Sequence, residues 1–528
     1  MSQPVVQERL PAGAGPKRRG MGNPWLTLIA VALGVIMVTL DGTVVAIANP
    51  AISKDLGASL ADLQWVTNGY LLALAVSLIT AGKLGDRFGH KPVFLIGAAG
   101  FALSSAGIGF SKEIGMVIAL RVLQGLFGAM LQPTALGLLR AAFPAERLNM
   151  AIGIWGACIA ASTAAGPIVG GLLVQHVNWE SVFFINVPVG LVALTVGALF
   201  LLNARGESQS GGFDILGIVL LSGMLFTLIW AVIKAPTYGW GDAKTLAFFG
   251  GSIVLLILFL VRERTARQPL LPLTLFRSVS LSVGVVLMML MAFAMFGAMF
   301  FLTFYLQSVH GLTPVATGVR LLPMMLAMMV ASPVAGGVIS KAGPRVPLVV
   351  GMGLAGVAFL GMSGLGVDAS FMSMAPWFAL IGVGLSPVMV AATDIIVGNA
   401  PVALSGVAGG LQQVAMQVGG ALGTSILGAV LTAKVAGVLP GHMTDAGLPK
   451  PTPAQVDLMK GAISQGVAPV PKNAPPQVAQ LIVKASHLSF IDGMHLAFIV
   501  SAAMAFAAAL LSLLVRAGRQ VEGAAMHV

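Results

Sequence analysis

The sequence predicts an all-α protein that crosses a membrane fourteen times. Its 528 residues are 57% apolar and only 9% charged, whereas soluble globular domains carry about 25% charged residues. The mean hydropathy is +0.95, which is more apolar surface than a soluble core can hide from water. At about 22 residues per crossing, fourteen helices use about 310 residues, which matches the apolar content. These observations exclude an ordinary soluble enzyme.

Uninterrupted apolar windows predict the position of each helix. The first six windows lie near residues 25–48, 62–82, 92–111, 114–138, 149–173 and 182–203. The next eight lie near residues 213–233, 244–261, 279–307, 315–339, 346–366, 374–398, 403–433 and 490–515. Between the last two windows, residues 435–489 are rich in Pro, Lys and Gln. We expect a solvated loop there, with a weak amphipathic helix through residues 476–484 that has its proline in the first turn.

The basic residues predict the orientation in the membrane. Most of the 29 Lys and Arg residues lie in the two tails and in alternate connections between windows, as in segments that face the cytoplasm. Both termini are therefore predicted on the cytoplasmic side, which requires an even number of crossings. The formal charge of +11 follows this pattern, so it does not indicate a nucleic-acid partner.

Two ten-residue loops repeat each other. The sequence G-K-L-G-D-R-F-G-H-K at 82–91 follows the second window, and G-G-V-I-S-K-A-G-P-R at 336–345 follows the tenth. Both have Gly at the first and eighth positions and a basic residue at the sixth and tenth. Two six-helix halves separated by an extra helix pair explain this repeat.

The predicted domains are a tail at 1–24, a first bundle at 25–203, a linker with the extra helices at 204–278, a second bundle at 279–516 that includes the loop 435–489, and a tail at 517–528.

No pattern typical of an enzyme is found. The sequence has no phosphate-binding loop, no H-E-x-x-H and no nucleophile elbow, so neither ATP nor a metal is expected to drive it. Its seven histidines are scattered, and its single cysteine, Cys158, lies within an apolar window, which excludes a disulfide framework. The sequence therefore predicts neither a cofactor nor a metal site.

Asp41 and Arg121 are the charges that lie deep inside predicted helices. Counted from the helix ends, Asp41 lies about 24 Å along an outward-running helix and Arg121 about 10 Å below the outer surface. Both fall in the outer half of a hydrocarbon core about 30 Å thick, where an unpaired charge costs at least about 2.5–3.5 kcal/mol. Pairing would favour the ionised carboxylate and separation the protonated one. The two residues are therefore predicted to couple a conformational change to a proton; a permanent structural ion pair is the alternative.

Several motifs resemble one family of membrane transporters. They are the loop 82–91, R-V-L-Q-G at 121–125, G-P-I-V-G-G at 166–171, L-D-G-T-V-V at 40–45, F-F-I-N-V-P-V-G at 183–190, L-P-L-T-L-F-R at 271–277 and G-V-A-G-G at 406–410. In this order they resemble the fourteen-span drug:proton antiporters of the EmrB/QacA type, in the major facilitator superfamily. One departure is W-E-S at 179–181, where that family has an aromatic-Arg-aromatic cluster.

The resemblance implies roles for two of these motifs. The loop 82–91 is expected to latch the two halves in one state, through Gly82, Asp86, Arg87, Gly89 and Lys91; a generic basic turn is the alternative. The fifth helix is expected to pack against its counterpart in the other half and to limit leakage. The residues of this antiporter motif are Gly166, Pro167, Gly170 and Gly171, and ordinary small-residue packing is the alternative.

Polar and aromatic residues inside helices are candidates for a substrate cavity. They are Asn68, Gln124, Phe296, Phe300, Tyr305, Gln413 and Gln417. For the polar members the alternative is interhelical hydrogen bonding, and for the aromatic ones it is contact with lipid. Asp394 and Asp492 are possible secondary acidic sites. Asp492 is expected near the start of the last helix, one turn from His495.

The resemblance implies a bacterial multidrug antiporter of the cytoplasmic membrane, which exports lipophilic, often cationic amphipaths in exchange for protons by alternating access. The resemblance implies no cofactor. The expected partners are small molecules, protons and the lipid bilayer. Whether an adaptor links the protein to an outer-membrane channel is left open. One alternative is a proton-coupled exporter of a single endogenous metabolite, such as an antibiotic or siderophore. A membrane sensor or scaffold is another alternative, although scaffolding needs no buried charge pair.

Overall fold

A computed structural model describes residues 23–202, 214–266, 269–400, 404–471 and 473–515. Fourteen helices in these ranges are long and apolar enough to span a membrane, which confirms the predicted all-α architecture. They are α1 (Pro24–Leu56), α2 (Leu60–Phe88), α3 (His90–Gly109), α4 (Ile114–Ala142), α5 (Met150–His176), α6 (Ser181–Phe200), α7 (Ile215–Tyr238), α8 (Ala243–Thr265), α9 (Val279–Val309), α10 (Pro314–Ala342), α11 (Arg345–Met362), α12 (Phe371–Gly398), α13 (Val407–Asp445) and α14 (Pro476–Ser512). Residues 1–22 of the first predicted tail, residues 203–213 of the predicted linker and the whole predicted tail 517–528 lie outside the described residues.

The prediction for residues 435–489 was wrong in one respect, because most of this segment is helical. Helix α13 continues to Asp445, and α14 already begins at Pro476. A further helix, which we call the loop helix, spans Pro453–Ile463. A helix satisfies its own backbone hydrogen bonds, so it can leave the hydrocarbon region without losing structure. Apolar windows mark the edge of the membrane and therefore underestimate such helices.

Local sequence signals place the helix ends. Asn23 caps α1 by accepting a hydrogen bond from the backbone of Trp25 at 3.0 Å, with Pro24 in the first turn. Ser59 and Asp62 form a reciprocal capping box at the start of α2, which satisfies two otherwise unpaired backbone donors. The eighth residue of each repeated loop, Gly89 or Gly343, has a positive φ of 100° or 77°. Glycine adopts this conformation without a Cβ penalty, which explains why both copies keep it.

Successive helices cross the membrane in opposite directions, so Asn23 and Val515 end on the same face. We call it the termini face and the other side the far face. In the first half, buried side chains of α1 to α4, such as Phe94, Phe101 and Leu131, form one apolar cluster. A second cluster fills the interior of α9 to α14 and includes Phe301, Phe359 and Phe498. The extra helices α7 and α8 pack on each other, and α7 also packs on α2 and α13.

The two halves meet along α2 and α13 and at the far face. There Gln307 of α9 donates to the carbonyl of Ile47 at 3.0 Å, and the backbone of Val315 donates to Gln175 of α5 at 3.2 Å. The segment after the loop helix also contacts the first half. The buried side chain of Gln465 forms a hydrogen bond with Ser53 of α1. Several independent contacts therefore hold the far face together.

Candidate functional site

Asp41 of α1 and Arg121 of α4 form a buried ion pair. Asp41 is 0% exposed and Arg121 is 1% exposed. One guanidinium nitrogen, Nη1, donates to Oδ2 of Asp41 and lies 2.6 Å from Oε1 of Gln124. Nε of the same guanidinium donates to the carbonyl of Val66 at 3.0 Å. The two charges, 80 positions apart, thus meet at the shared depth that their positions in the helices predict.

Three further polar side chains complete this network. Gln124 donates from Nε2 to Oδ1 of Asp41 at 2.9 Å, and Asn186 of α6 donates to the same oxygen at 3.2 Å. Both amides also contact Oγ of Ser105 on α3, at 2.6 and 3.3 Å. Each oxygen of Asp41 therefore has at least one donor. Hydrogen bonds to charged groups are worth about 1.5–3 kcal/mol each, so the network holds the side chains of Asp41 and Arg121 in place.

Aromatic rings close the site around the guanidinium. The ring of Tyr70 lies 4.1 Å from Cζ of Arg121, and the ring of Phe183 lies 5.8 Å from it. Tyr70 is held in place because its hydroxyl donates to the carbonyl of Val38 at 3.0 Å. Such cation–π contacts gain strength when water is excluded. Removing one partner of a pair this deeply buried is expected to cost about 3–5 kcal/mol.

The sequence predicts part of this network. For Gln124 it leaves a cavity position and interhelical hydrogen bonding open, and the structure shows the second, because the side chain is 0% exposed and bonds Asp41 and Ser105. Asn186 and Ser105 were not identified as functional residues. Asn186 lies inside the motif at 183–190, where an amide in an apolar run was the available signal.

The antiporter motif brings α5 close to two helices. A Cβ at Gly166 would lie 1.9 Å from Oγ1 of Thr43, so α5 packs directly on α1. A Cβ at Gly171 would lie 2.6 Å from the carbonyl of Pro314, and one at Gly318 of α10 would lie 2.5 Å from the carbonyl of Pro167. Since these neighbours are backbone atoms, only glycine fits. Gly170 also packs on α1, against Val44.

The contact between α5 and α10 lies in the far half of the membrane. Toward the termini face, a Cβ added at Gly153 or Gly156 of α5 would meet no heavy atom within 4 Å. The same holds for Gly336 and Gly337 of α10. We call the contact of residues 166–171 with residues 314–318 the far-face seal.

The predicted gating loop is anchored within the first half. Lys91 donates to the carbonyl of Ala198 on α6 at 2.7 Å, and Asp86 lies 3.5 Å from Nε2 of His90. Arg87 lies over the ring of Phe88, with 5.5 Å between Cζ and the ring centroid. A Cβ at Gly82 would lie 3.7 Å from Pro133 of α4.

The cavity candidates occupy different surroundings. Asn68 crosses between the halves, donating to Ser425 at 2.8 Å and accepting from Thr424 at 2.7 Å. Phe300 and Tyr305 are buried in the second apolar cluster, and the hydroxyl of Tyr305 donates to the carbonyl of Gly366 at 2.7 Å. Phe296 is half-buried on α9. The two glutamines of α13, Gln413 and Gln417, face the first half and are described below.

The secondary acidic candidates lie away from the buried network. Asp394 is exposed near the end of α12 at the termini face. Asp492 pairs with His442 of α13 at 2.9 Å, and not with His495. The ring of His495 contacts the carbonyl of Leu365 at 2.7 Å instead. Helical spacing identifies neighbours on the same helix, such as His495 for Asp492. The observed partner of Asp492, His442, lies on the adjacent helix α13.

Comparison with known proteins places this arrangement in a family. The sequence profile of the Major Facilitator Superfamily matches residues 31–424. The tetracenomycin C resistance and export protein of Streptomyces glaucescens is 56% identical over 95% of this chain and 94% of its own length. The multidrug efflux pump LfrA of Mycolicibacterium smegmatis is 32% identical over 92% of this chain and 95% of its own length.

Solved structures agree on the fold. A bacterial homologue of the human lysosomal transporter Spinster, in an inward-facing and unoccupied conformation, superposes with a TM-score of 0.62 and 16% identity. That comparison covers 96% of this chain and all of the solved one. The prediction of a multi-pass transporter rather than an enzyme is thus confirmed, and its relatives include drug-resistance and export proteins. This chain belongs to the Major Facilitator Superfamily.

Proposed function

We propose that this chain is a proton-coupled efflux antiporter in the cytoplasmic membrane of a bacterium, with both termini in the cytoplasm. Its substrates are lipophilic, amphipathic compounds, and the proton gradient drives it without a cofactor. The names of the relatives support export, since they include a multidrug efflux pump and an antibiotic export protein. The excess of Lys and Arg on the termini face supports the orientation.

The observation that carries the proposal is the buried network of Asp41, Arg121, Gln124 and Asn186. In the paired arrangement three donors stabilise the carboxylate. If Arg121 moves away during the conformational change, the carboxylate remains in an apolar environment with fewer donors, and the protonated form becomes favoured. In this proposal one complete cycle, through the separated arrangement and back to the paired one, carries the proton of Asp41 inward. The donors to this carboxylate come from two helices, Arg121 and Gln124 from α4 and Asn186 from α6, so a movement of these helices relative to α1 changes how many donors it has.

The far-face seal supports an alternating-access cycle. With the termini in the cytoplasm, the described state is closed on the outside by the contact of α5 with α10. Substrate enters from the termini side or from the inner leaflet, and release needs the seal to open. Because both sides of the seal are glycine-lined backbone, the two helices can form and break the contact without rearranging side chains.

Reconstitution tests the proposal directly. The purified protein is placed in liposomes with an imposed pH gradient, and the flux of ethidium is measured together with proton release by a trapped pH dye. We expect substrate uptake and proton release to start together and to stop when a protonophore collapses the gradient. Ethidium flux that continues unchanged without a gradient would rule out proton coupling.

A second candidate is the export of one antibiotic rather than many drugs. It is favoured by the 56% identity with the tetracenomycin C resistance and export protein across nearly the whole of both chains. A resistance panel of cationic, neutral and anionic drugs, in a bacterial strain that lacks its own pumps, separates the two candidates. Protection against several unrelated classes supports multidrug efflux, and protection against one class supports the single-substrate exporter. The predicted link to an outer-membrane channel stays a prediction.

A further inference from the structure

One stripe of α13 faces the first half of the molecule. Gln413 donates from Nε2 to Oε1 of Gln132 on α4 at 2.9 Å. A Cβ at Gly420 would lie 2.9 Å from the ring of Phe296 and 3.3 Å from Leu71 of α2. Helical positions three, four and seven residues apart share one face, so Gln417, which lies between Gln413 and Gly420, is on this stripe too.

Hydrogen-bonding groups in this region lack partners. Oε1 of Gln413 and Oε1 of Gln417 are both buried and make no hydrogen bond. Water cannot easily reach Gln417, because this residue is only 6% exposed. A buried polar atom without a partner costs about 1–3 kcal/mol. Such a cost at neighbouring positions indicates that another molecule supplies the partners.

A polar residue of α2 that faces the continuation of this stripe shows that the boundary itself does not prevent pairing. Asn68 is completely buried, and its amide is hydrogen-bonded through both Nδ2 and Oδ1 by Ser425 and Thr424. The amide of Asn68, nearer the far face than the two glutamines, is therefore satisfied internally. The unpartnered oxygens of Gln413 and Gln417 lie on the side toward the termini face.

We propose that Gln413 and Gln417 form a hydrogen-bonding subsite for the hydroxyl groups of a flat, uncharged aromatic substrate. This inference rests on the proposed function and specifies its substrate class. A hydroxyl both donates and accepts, so it can satisfy an amide oxygen as well as the amide nitrogen of Gln417. The half-buried ring of Phe296, one turn along, provides an apolar surface for the aromatic body. These side chains carry no charge, so the subsite selects by hydrogen bonding rather than by charge.

The expected difference in affinity between a hydroxylated substrate and an analogue without the hydroxyl follows from the burial of the two amide groups. A buried site built to hydrogen-bond a hydroxyl rejects an analogue without it, because its own polar groups then stay unpaired. Two such contacts are expected to give at least about a tenfold difference in binding between matched compounds. A cavity that only collects apolar surface would bind the two compounds almost equally.

The test uses a matched pair of probes, 2,6-dihydroxyanthraquinone and its dimethyl ether. Equilibrium binding to the purified full-length protein is measured by quenching of tryptophan fluorescence, which does not require transport. We expect the dihydroxy compound to bind about tenfold or more tightly. In Gln417→Met, which keeps the size of the side chain, the difference should fall to less than about threefold while the affinity for the dimethyl ether stays unchanged. Gln413→Met should act in the same direction, and Gln480→Met, at an exposed position of α14, should act like the wild type.

The outcomes separate this inference from the proposed function. Equal affinities of the two probes in the wild type, or a preference that survives in both Gln417→Met and Gln413→Met, overturn the subsite. Binding of the dimethyl ether in each variant reports that the protein is folded. If the wild type shows no gradient-driven ethidium flux, the proton-coupled antiporter is contradicted. The result of the binding measurement is not affected by that outcome.

Discussion

The two halves of the molecule share a repeated loop but have very different interiors. In the first half, α1, α3, α4 and α6 bring Asp41, Ser105, Arg121 and Asn186 into one buried network. In the second half, the corresponding first helix, α9, buries side chains such as Leu287, Met288, Met291 and Phe293. Within the part of that half that the structure describes, the ion pairs are His442 with Asp492 and Lys460 with Asp457, and all four side chains are partly or largely exposed.

The same contrast is visible in the repeated loops. Both copies keep the turn, because Gly89 and Gly343 take the same role with a positive φ. Asp86 in the first copy faces His90, whereas Ser340 in the second donates to the carbonyl of Gly337 at 2.9 Å. The backbone of the repeat has thus been retained while its acidic group has been lost.

This difference indicates a division of tasks within one fold. In the proposed cycle the shared backbone lets the halves rock against each other, and the side chains decide what each half does during that motion. The first half holds Asp41, which we propose binds the proton, and the second contributes mainly apolar surface and the glutamines of α13. Changes to the charge network should therefore abolish coupling, and changes at the boundary should shift the conformational equilibrium.

The largest effect is expected for Asp41→Asn. Asparagine keeps the size of the side chain and can still hydrogen-bond, but it cannot carry a proton. Gradient-driven efflux of ethidium should fall about 100-fold or more, because the chemical step that uses the gradient is lost. The measurement is flux in liposomes at equal protein content. Asp445→Asn, at an exposed position at the end of α13, should keep full activity; wild-type flux in Asp41→Asn would refute the assignment.

Much of this architecture follows from sequence pattern. Fourteen apolar windows predict fourteen helices, and the positions of Asp41 and Arg121 within their windows predict a common depth, at which the two residues do pair. The motif at 166–171 predicts close helix approach because glycines lack a side chain. These features depend on spacing along one helix, which a sequence shows directly.

Other features depend on which face a helix turns toward its neighbours. Gln124 is polar in an apolar helix, and that alone does not distinguish a cavity from a buried network. Asn186 and Ser105 are single polar residues of α6 and α3, and their meeting with Asp41 is a tertiary contact. His442 lies 50 positions from Asp492, so helical spacing favoured the nearer His495. The helical content of the segment between α13 and α14 is not predicted, because hydropathy marks where a helix lies in the membrane and not where the helix ends.

A smaller but still large effect is expected for Arg121→Lys. Lysine keeps the charge but loses the planar fork, so it cannot bond Asp41, Gln124 and the carbonyl of Val66 together. The stacking on Tyr70 is lost as well. We expect maximal flux to fall about 10-fold or more with a smaller change in KM, since the network and not the substrate site is altered. Arg264→Lys, exposed at the end of α8, serves as the control, and unchanged flux in Arg121→Lys would mean that only the charge matters.

A moderate effect is expected for Gly318→Ala in the far-face seal. The added methyl group would lie 2.5 Å from the carbonyl of Pro167, so α5 and α10 must separate. Spin labels at Val177→Cys and Met372→Cys, in a Cys158→Ser background, report the distance across the far face by electron–electron resonance. The open population should rise by about 10-fold, which corresponds to about 1.4 kcal/mol. Gly336→Ala on the same helix, where a Cβ meets nothing within 4 Å, should leave the distances unchanged.

The smallest effect is expected for Gln465→Ala, which tests whether the far face depends on one contact or on many. Gln465 is 5% exposed, and its side chain joins the segment after the loop helix to Ser53 and to the carbonyl of Ala58, across the boundary between the halves. Its loss leaves the far-face seal, the bond from Gln307 to Ile47 and the packing of Gly466 against Ser308 in place. One net hydrogen bond is worth about 0.5–1.5 kcal/mol, so the open population in the same spin-label measurement should rise only about two- to tenfold. Gln477→Ala, exposed at the start of α14, should cause no change. If Gln465→Ala opens the far face more than Gly318→Ala does, the loop and not the glycine contact is the main closure, and the division of tasks between the halves must include this segment.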